Sequence, residues 1–235
     1  MKQTNQRINK RTTFLLKEDT PFYISESFRA LKASISVSVP KTKKEGVSIV
    51  ITSSYPEEGK TTVASNLALM FAQSENKVVL VDTDVRRGRI GKYFKMEEKP
   101  GVSDYLSGQA TLEEVLQSSK INENLYIIPC GTHSPKPYEL LESEAMQVFN
   151  EKLKAEFDYV FYDTPPVLVV PDALALAPKT DGTILVTRYM YSCVSDIAKS
   201  VNTLKFSKAN ILGTIVNDYH AIEKKGKRYS YSYGY

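Results

Sequence analysis

The chain is predicted to be an α/β protein: a doubly wound, mainly parallel sheet with helices on both faces. Three observations predict it. Short apolar runs rich in β-branched residues alternate with segments of helix length. Those runs are nearly continuous in apolar residues, as expected of strands covered on both faces. Finally, Glu57-Glu58-Gly59-Lys60-Thr61-Thr62 falls between one such run and a helical segment, the context in which a loop can wrap phosphates. With 235 residues, 42% hydrophobic and 25% charged, the chain is long enough to bury the core of one such domain.

The elements follow in order. Val47-Ser-Ile-Val-Ile-Thr52 is a central strand. Residues 60–73 form a helix, with Ala64, Leu67, Ala68, Phe71 and Ala72 on one face. Val78–Val81 is the next buried strand. Residues 101–118 hold two short helices, the second opened by a capping box of Thr111 and Glu114. Leu125–Pro129 is a third strand, residues 139–156 a helix, and Tyr159–Asp163 a fourth strand. Gly182–Thr187 and Ile211–Asn217 complete the sheet, separated by a helix over 195–206. The domain spans residues 21–221, between a flexible basic arm (1–20) and a flexible basic, tyrosine-rich tail (222–235). No internal repeat or second domain is visible.

Composition excludes several classes. Thirty-one basic against 27 acidic residues leave a net charge of +4, too mild for nucleic-acid binding. The positive charge gathers at the ends: Lys2, Arg7, Lys10, Arg11 and Lys17, then Lys224-Lys225-Gly226-Lys227-Arg228. These are either solvated termini or weak attractors of acidic lipid or an acidic partner. Cys130 and Cys193 form no CxxC, which fits a reduced cytosol and argues against a metal or iron–sulfur site. Neither a signal peptide nor an apolar run of about 18 residues is present, so membrane work would require another molecule as anchor. His133 and His220 are isolated and read as structural or surface residues.

The chemistry lies in three acidic and basic clusters. In a Gly-x4-Gly-Lys-[Ser/Thr] loop, successive amides point inward and the following helix offers its positive end. Here Gly59-Lys60-Thr61 fits, whereas Ser54 replaces the first glycine and Glu57 stands where glycine is common. The phosphates are expected on Glu58, Gly59, Lys60, Thr61 and Thr62, with Lys60 on the β- and γ-phosphates and Thr61 on Mg²⁺. Asp82 and Asp84, two apart on an extended chain, share a face at the carboxyl edge of the sheet. Asp163 reaches the same edge at the end of Tyr-Val-Phe-Tyr. Three carboxylates in one pocket repel one another unless a cation sits among them. Arg86 either pairs with Asp82 or steadies the phosphates.

The chain closes on Tyr229-Ser-Tyr231-Ser-Tyr233-Gly-Tyr235. Even scatter of the 15 tyrosines would place fewer than one in those seven positions, so the cluster is not composition alone. Its serines and glycine make a poor second face for an edge strand, and chain ends fray, which favours phosphoacceptors. A phosphate site and a run of phenols in one chain point to an enzyme that modifies itself.

Taken together, Ser54-Tyr-Pro-Glu-Glu-Gly-Lys-Thr61, Val-Leu-Val-Asp82-Thr-Asp84-Val-Arg86 and Val-Phe-Tyr-Asp163-Thr-Pro-Pro resemble the Walker A, A′ and B motifs of bacterial tyrosine kinases, P-loop NTPases of the deviant Walker A type. More narrowly, the chain is similar to cytoplasmic kinase subunits of capsule and exopolysaccharide systems in Gram-positive bacteria. The likeness runs from about Ser25 to the end. It takes in Gly101-Val-Ser-Asp-Tyr-Leu-Ser-Gly, Pro135-Lys-Pro-Tyr-Glu-Leu-Leu, Asp172-Ala-Leu-Ala-Leu-Ala and the tyrosine tail.

That resemblance implies an ATP- and Mg²⁺-dependent, non-specific protein-tyrosine autokinase that phosphorylates the tail of a neighbouring subunit and so regulates polysaccharide synthesis and export. It assigns Asp82 to accept the phenolic proton, with Lys60 and Arg86 beside it in catalysis, Thr61, Asp84 and Asp163 to the metal, and Asn217 to the adenine. Glu26-Ser-Phe-Arg29-Ala-Leu-Lys32 reads as a helix start. It is similar to a subunit-contact motif Glu-x-x-Arg-x-x-Arg with lysine in the last place; an ordinary solvated ion pair explains it nearly as well. The implied partners are further copies in a ring, a separate transmembrane activator that holds the chain at the inner membrane face, and a tyrosine phosphatase. Two rivals remain. One is a partitioning or positioning ATPase switch; such proteins carry a lysine five residues before the loop lysine, where this chain has Tyr55. The other is a non-catalytic nucleotide-binding scaffold.

Overall fold

The computed structural model describes residues 15–41 and 45–219. Strands β1 (Val47–Ser53), β2 (Val78–Asp82), β3 (Gln117–Ser118), β4 (Leu125–Ile128), β5 (Tyr159–Asp163), β6 (Gly182–Arg188) and β7 (Ile211–Asn217) form one sheet in the order β3-β4-β2-β5-β1-β6-β7. Every neighbouring pair is parallel except β3 with β4. Helices α1 (Phe22–Ser38), α2 (Lys60–Ala72), α3 (Ile90–Phe94), α4 (Val102–Leu106), α5 (Leu112–Val115), α6 (Pro137–Glu142), α7 (Glu144–Glu156), α8 (Asp172–Leu176) and α9 (Val194–Phe206) complete the described chain. The predicted doubly wound architecture is the one observed.

Alternation along each strand divides the core in two. Ile49 and Ile51 of β1, Val78 and Leu80 of β2, and Tyr159 and Phe161 of β5 point to one side, where they meet α1 and α2. Val50, Val79, Val81, Val160 and Tyr162 point to the other, against α4 to α9. The strands therefore read as unbroken apolar runs because each face has its own helical layer.

Helix α2 departs from the one-faced reading. Every residue from Val63 to Ala72 is buried, because α1 covers its outer side. The stripe Ile24, Phe28, Leu31 and Ile35 on α1 supplies that cover at helical spacing. Ahead of α1, Leu16 is already buried and its amide donates to Asn66 Oδ1 at 2.7 Å. The folded body thus takes in part of the expected arm. Glu26 and Arg29 pair with each other on the exposed side of α1, and Lys32 Nζ donates to Ser74 Oγ and lies 6.0 Å from the Phe71 ring.

The helix expected over 139–156 is two helices. Ser143 breaks it: its hydroxyl donates to Leu140 O at 2.7 Å and accepts from Met146 N at 3.3 Å, capping the start of α7. The Thr111–Glu114 capping box on α5 is present as expected. The tail tyrosines Tyr229, Tyr231, Tyr233 and Tyr235 lie outside the described residues.

Phe71 joins the layers. It is fully buried, with ring centroids 4.3 Å from Tyr159 and 5.4 Å from Phe161. Phe71→Ala leaves a cavity between α2 and β5 and is expected to lower the unfolding free energy by about 3–5 kcal/mol. Urea denaturation checks this, and a loss below about 1 kcal/mol would mean that the layer closes over the gap.

Candidate active site

Strands β1, β2 and β5 end side by side, and their carboxyl ends build one cleft of about 610 Å³. The loop after β1 contributes Pro56, Glu57, Gly59, Lys60, Thr61 and Thr62 to its lining; β2 and the turn after it contribute Asp82, Asp84, Arg86, Arg87 and Arg89; β5 and its exit contribute Asp163, Pro165, Pro166, Val169 and Val170. The parallel order inserts β5 between β1 and β2, which brings the phosphate loop and all three aspartates together.

The loop is bent by two left-handed residues, Glu57 at φ 67° and Gly59 at φ 89°. Glycine enters that region freely, whereas a side-chain-bearing residue there is strained, so the Glu57 departure is a strained position within the same loop path. At Gly59 a Cβ would lie 2.0 Å from Asn217 Nδ2, so only glycine fits. No side chain caps α2 and its first turn holds no acid, which leaves its leading amides and positive end directed at the cleft.

The loop is braced from behind. The Glu58 carboxylate is buried; it accepts the Tyr55 amide at 2.6 Å and the Ser192 hydroxyl. Asn217 Nδ2 donates to Glu58 O at 3.0 Å. Among the predicted nucleotide contacts, then, the side chains of Glu58 and Asn217 are spent on holding the loop, while Gly59, Lys60, Thr61 and Thr62 line the cleft.

Asp82 and Asp163 are Cα partners on adjacent strands, 1% and 2% exposed. Asp82 Oδ2 accepts the amides of Arg89 at 2.7 Å and Ile90 at 2.9 Å, which starts α3. The Gly88 position makes this possible, since a Cβ there would stand 2.4 Å from Cys130 Sγ and 2.7 Å from Asp82 Oδ2. Burial, then the nearby Asp163, push the Asp82 carboxyl up to about 7. Burial also raises Asp163, opposed by Lys60 and by the 2.7 Å hydrogen bond from Thr61 Oγ1 to its Oδ2.

Asp84 does not reach the cleft by strand alternation. Strand β2 stops at Asp82, the chain turns, and the Asp84 amide donates back to Asp82 Oδ1 at 3.1 Å. Arg86 does not pair with Asp82. Its guanidinium grips Asp172 twice, Nε to Oδ2 at 2.8 Å and Nη2 to Oδ1 at 3.0 Å. Asp172 is fully buried and opens α8, so its contact lies 86 positions away in sequence, beyond any local pattern. Arg87 and Arg89 also line the cleft and went unread, although the basic run Arg86-Arg87-Gly88-Arg89 beside the aspartates carried the signal.

The donor set suits a hard cation. Asp163 Oδ1 is buried without a hydrogen-bond partner, one oxygen from the Thr61 hydroxyl contact. Among the described residues no three His, Cys, Asp or Glu side chains converge into a closed cage. The groups that could face a magnesium ion here are the Thr61 hydroxyl and the unpartnered Asp163 Oδ1, with Asp84 on the same cleft.

Comparisons with known proteins agree with this geometry. The family described as AAA domain matches residues 48–214. Tyrosine-protein kinase CpsD of Streptococcus pneumoniae serotype 4 is 38% identical over 193 residues, covering 82% of this chain and 83% of that protein. Tyrosine-protein kinase YwqD of Bacillus subtilis is 35% identical over 212 residues, covering 90% and 85%. The solved kinase domain of Escherichia coli tyrosine kinase ETK superposes with a TM-score of 0.79 at 33% identity, over 89% of this chain and 80% of that one. Other relatives are far longer: the chain spans only 26% of tyrosine-protein kinase ptk of Acinetobacter johnsonii.

A carboxyl raised on folding stabilises the fold in its protonated form. The Asp82 contribution is therefore whole near pH 4 and is lost as the pH rises through about 7. Asp158 and Asp181, both lowered, act only in the acid range, outside this window. The ligand-free chain is expected to lose stability between pH 5 and pH 8, the effect being on the order of 4 kcal/mol across the full titration. Mg²⁺ with a non-hydrolysable ATP analogue should flatten the slope. Urea unfolding at the two pH values measures it, and stability that rises across that interval would contradict the assignment.

Proposed function

The chain belongs to the bacterial tyrosine-protein kinases built on the AAA domain, and from that premise we propose that it is an ATP-dependent autokinase that phosphorylates its own tail tyrosines in trans. One observation carries the reading: Lys60, Thr61, Asp82, Asp84 and Asp163, from three different strand ends, line a single cleft.

The loop amides and Lys60 hold the triphosphate, and Lys60 draws charge off the γ-phosphate as it departs. Thr61, Asp84 and Asp163 would hold magnesium, which would supply positive charge to the phosphate oxygens. The phenolic oxygen forms its bond to the γ-phosphorus while the bond from that phosphorus to the bridging oxygen breaks; the phenolic proton passes to Asp82 and ADP leaves. A phenol with an ordinary value near 10 arrives protonated, so a carboxylate beside it is what the transfer needs. Arg86 stands beside the same centre, its direction set by Asp172.

The acceptors are Tyr229, Tyr231, Tyr233 and Tyr235. Strand β7, which precedes them in sequence, ends at Asn217, hydrogen-bonded to the phosphate loop. We assign Glu26 and Arg29, paired on the exposed side of α1, to contact with a neighbouring copy in a ring, with Lys32, which reaches back to Ser74, completing the motif from the α2 side. No helix among the described residues is long and apolar enough to cross a membrane. A separate membrane activator, a phosphatase that resets the tail, and control of capsule or exopolysaccharide export belong to the same proposal. The scaffold rival leaves the catalytic set Lys60, Thr61, Asp82, Asp84 and Asp163 without use.

Two experiments test this. With Mg-ATP and the activator, anti-phosphotyrosine blotting should give a signal that Lys60→Met, or Phe at all four tail positions, reduces at least a hundredfold. Mixing Lys60→Met chains with chains whose tail tyrosines are Phe should restore the signal, on the Lys60→Met chains. Signal absent from the mixture but present in the unaltered protein would establish transfer within one chain.

A further inference from the structure

One wall of the cleft is built for something other than phosphate. Pro165, Pro166, Val169 and Val170 line it directly beside Lys60, Asp82 and Asp163, and Val169 is 54% exposed. Four apolar side chains next to a charged centre neither bind an anion nor coordinate a cation. A ring that carries one hydroxyl satisfies both surfaces at once, its face on the apolar wall and its oxygen at the charges.

The wall is rigid. Thr164 N and Oγ1 both donate to Ile51 O, at 3.1 and 3.0 Å. Thr52 Oγ1 donates to Pro165 O at 3.0 Å, and Val167 N to Ser53 O at 2.8 Å. Val169 N and Val170 N turn back to Pro166 O at 3.1 and 3.2 Å. At its far end Asp172 grips Arg86, which fixes the wall against the turn that carries Asp84. The shelf is thus tied to β1 at one end and to the acidic turn at the other, in the ligand-free protein.

We propose that Pro165, Pro166, Val169 and Val170 form the seat of the acceptor ring, where a tail tyrosine lays its phenol with the oxygen toward Asp82. The occupant is fixed by the sequence around the acceptors. In Tyr229-Ser-Tyr231-Ser-Tyr233-Gly-Tyr235 the inner tyrosines are flanked only by serine or glycine, so a ring can enter without a bulky neighbour striking the walls. Tyr231 and Tyr233 fit it equally, because nothing but the ring and its small flanks is recognised. The seat rests on the kinase reading for its role and stands apart from it in binding.

The test uses the full chain with Ala at the four tail tyrosines, Mg²⁺ and a non-hydrolysable ATP analogue. The probe is a fluorescein-labelled peptide of residues 222–235, its Kd read by anisotropy. Val169→Ser, which removes two exposed methyl groups, should raise the peptide Kd about five- to tenfold, and Val169→Leu should keep it within twofold. The Kd of the nucleotide analogue should move less than twofold in both. A peptide Kd unchanged by Val169→Ser overturns the seat, as does a parallel loss of nucleotide affinity, which would make the shelf a nucleoside site. A peptide with Ala at its four tyrosines must show no response to Val169→Ser; if it responds equally, the ring is not what the shelf binds. Failure of the unaltered protein to phosphorylate any tyrosine, alongside the expected Kd changes, would refute the kinase reading and leave the ring seat intact.

Discussion

Two carboxylates placed opposite each other on neighbouring buried strands govern this molecule. Asp82 and Asp163 are register partners where β2 and β5 end, and both are withdrawn from water. Such a pair cannot be fully ionised without compensation, because burial and mutual repulsion both favour protonation. The fold supplies partial compensation: the amides of Arg89, Ile90 and Asp84 on Asp82, the Thr61 hydroxyl on Asp163, and the Lys60 charge beside it. What remains uncompensated is the lone Asp163 Oδ1, buried without a hydrogen-bond partner. The sheet order, which sets β5 between β1 and β2, is what brings that oxygen beside the phosphate loop.

The same constraint explains the surrounding geometry. To reach the Asp82 carboxylate, the amides that start α3 must come close to β4, which only a glycine at position 88 permits. Cys130 lies against that turn, buried, and its thiol is pushed up to about 12 by burial first and then by Asp82. It is a packing residue rather than a nucleophile. Arg86, the cation nearest in sequence to Asp82, is drawn instead to Asp172. A guanidinium paired twice with a fully buried carboxylate is held in one direction, so the arginine keeps a fixed place at the rim and does not collapse onto the acids that need a metal.

Much of this was readable in the residues, and the limits have physical causes. The six parallel strands and the phosphate loop are legible because apolar runs and a glycine-lysine turn are local signals. Asp82, Asp84 and Asp163 line one cleft, but Asp84 arrives through a turn closed by the Asp82 side chain, which leaves no trace in periodicity. The Arg86 partner could not be found, as 86 positions separate the pair. Helix α3 also escaped, being five residues held by a carboxylate from another element rather than by its own propensity. The break at Ser143 was legible in principle, for serine is a strong helix opener in the middle of an apparent long helix.

The brace on the loop completes the argument. Glu58 holds the Tyr55 amide and the Ser192 hydroxyl with its carboxylate, and receives Asn217 on its carbonyl. Those two partners lie in the β6–α9 connection and at the end of β7, the strand from which the tail departs. A single buried glutamate thus links the path of the phosphate loop to the root of the segment that carries the acceptors. Whatever shifts the end of β7 must either move the loop or break the 3.0 Å hydrogen bond from Asn217 Nδ2 to the Glu58 carbonyl, which leaves a partly buried amide and carbonyl without each other. The end of β7 and the shape of the nucleotide loop are for that reason coupled, joined through the Asn217 amide and the Glu58 backbone at a point where neither side chain lines the cleft.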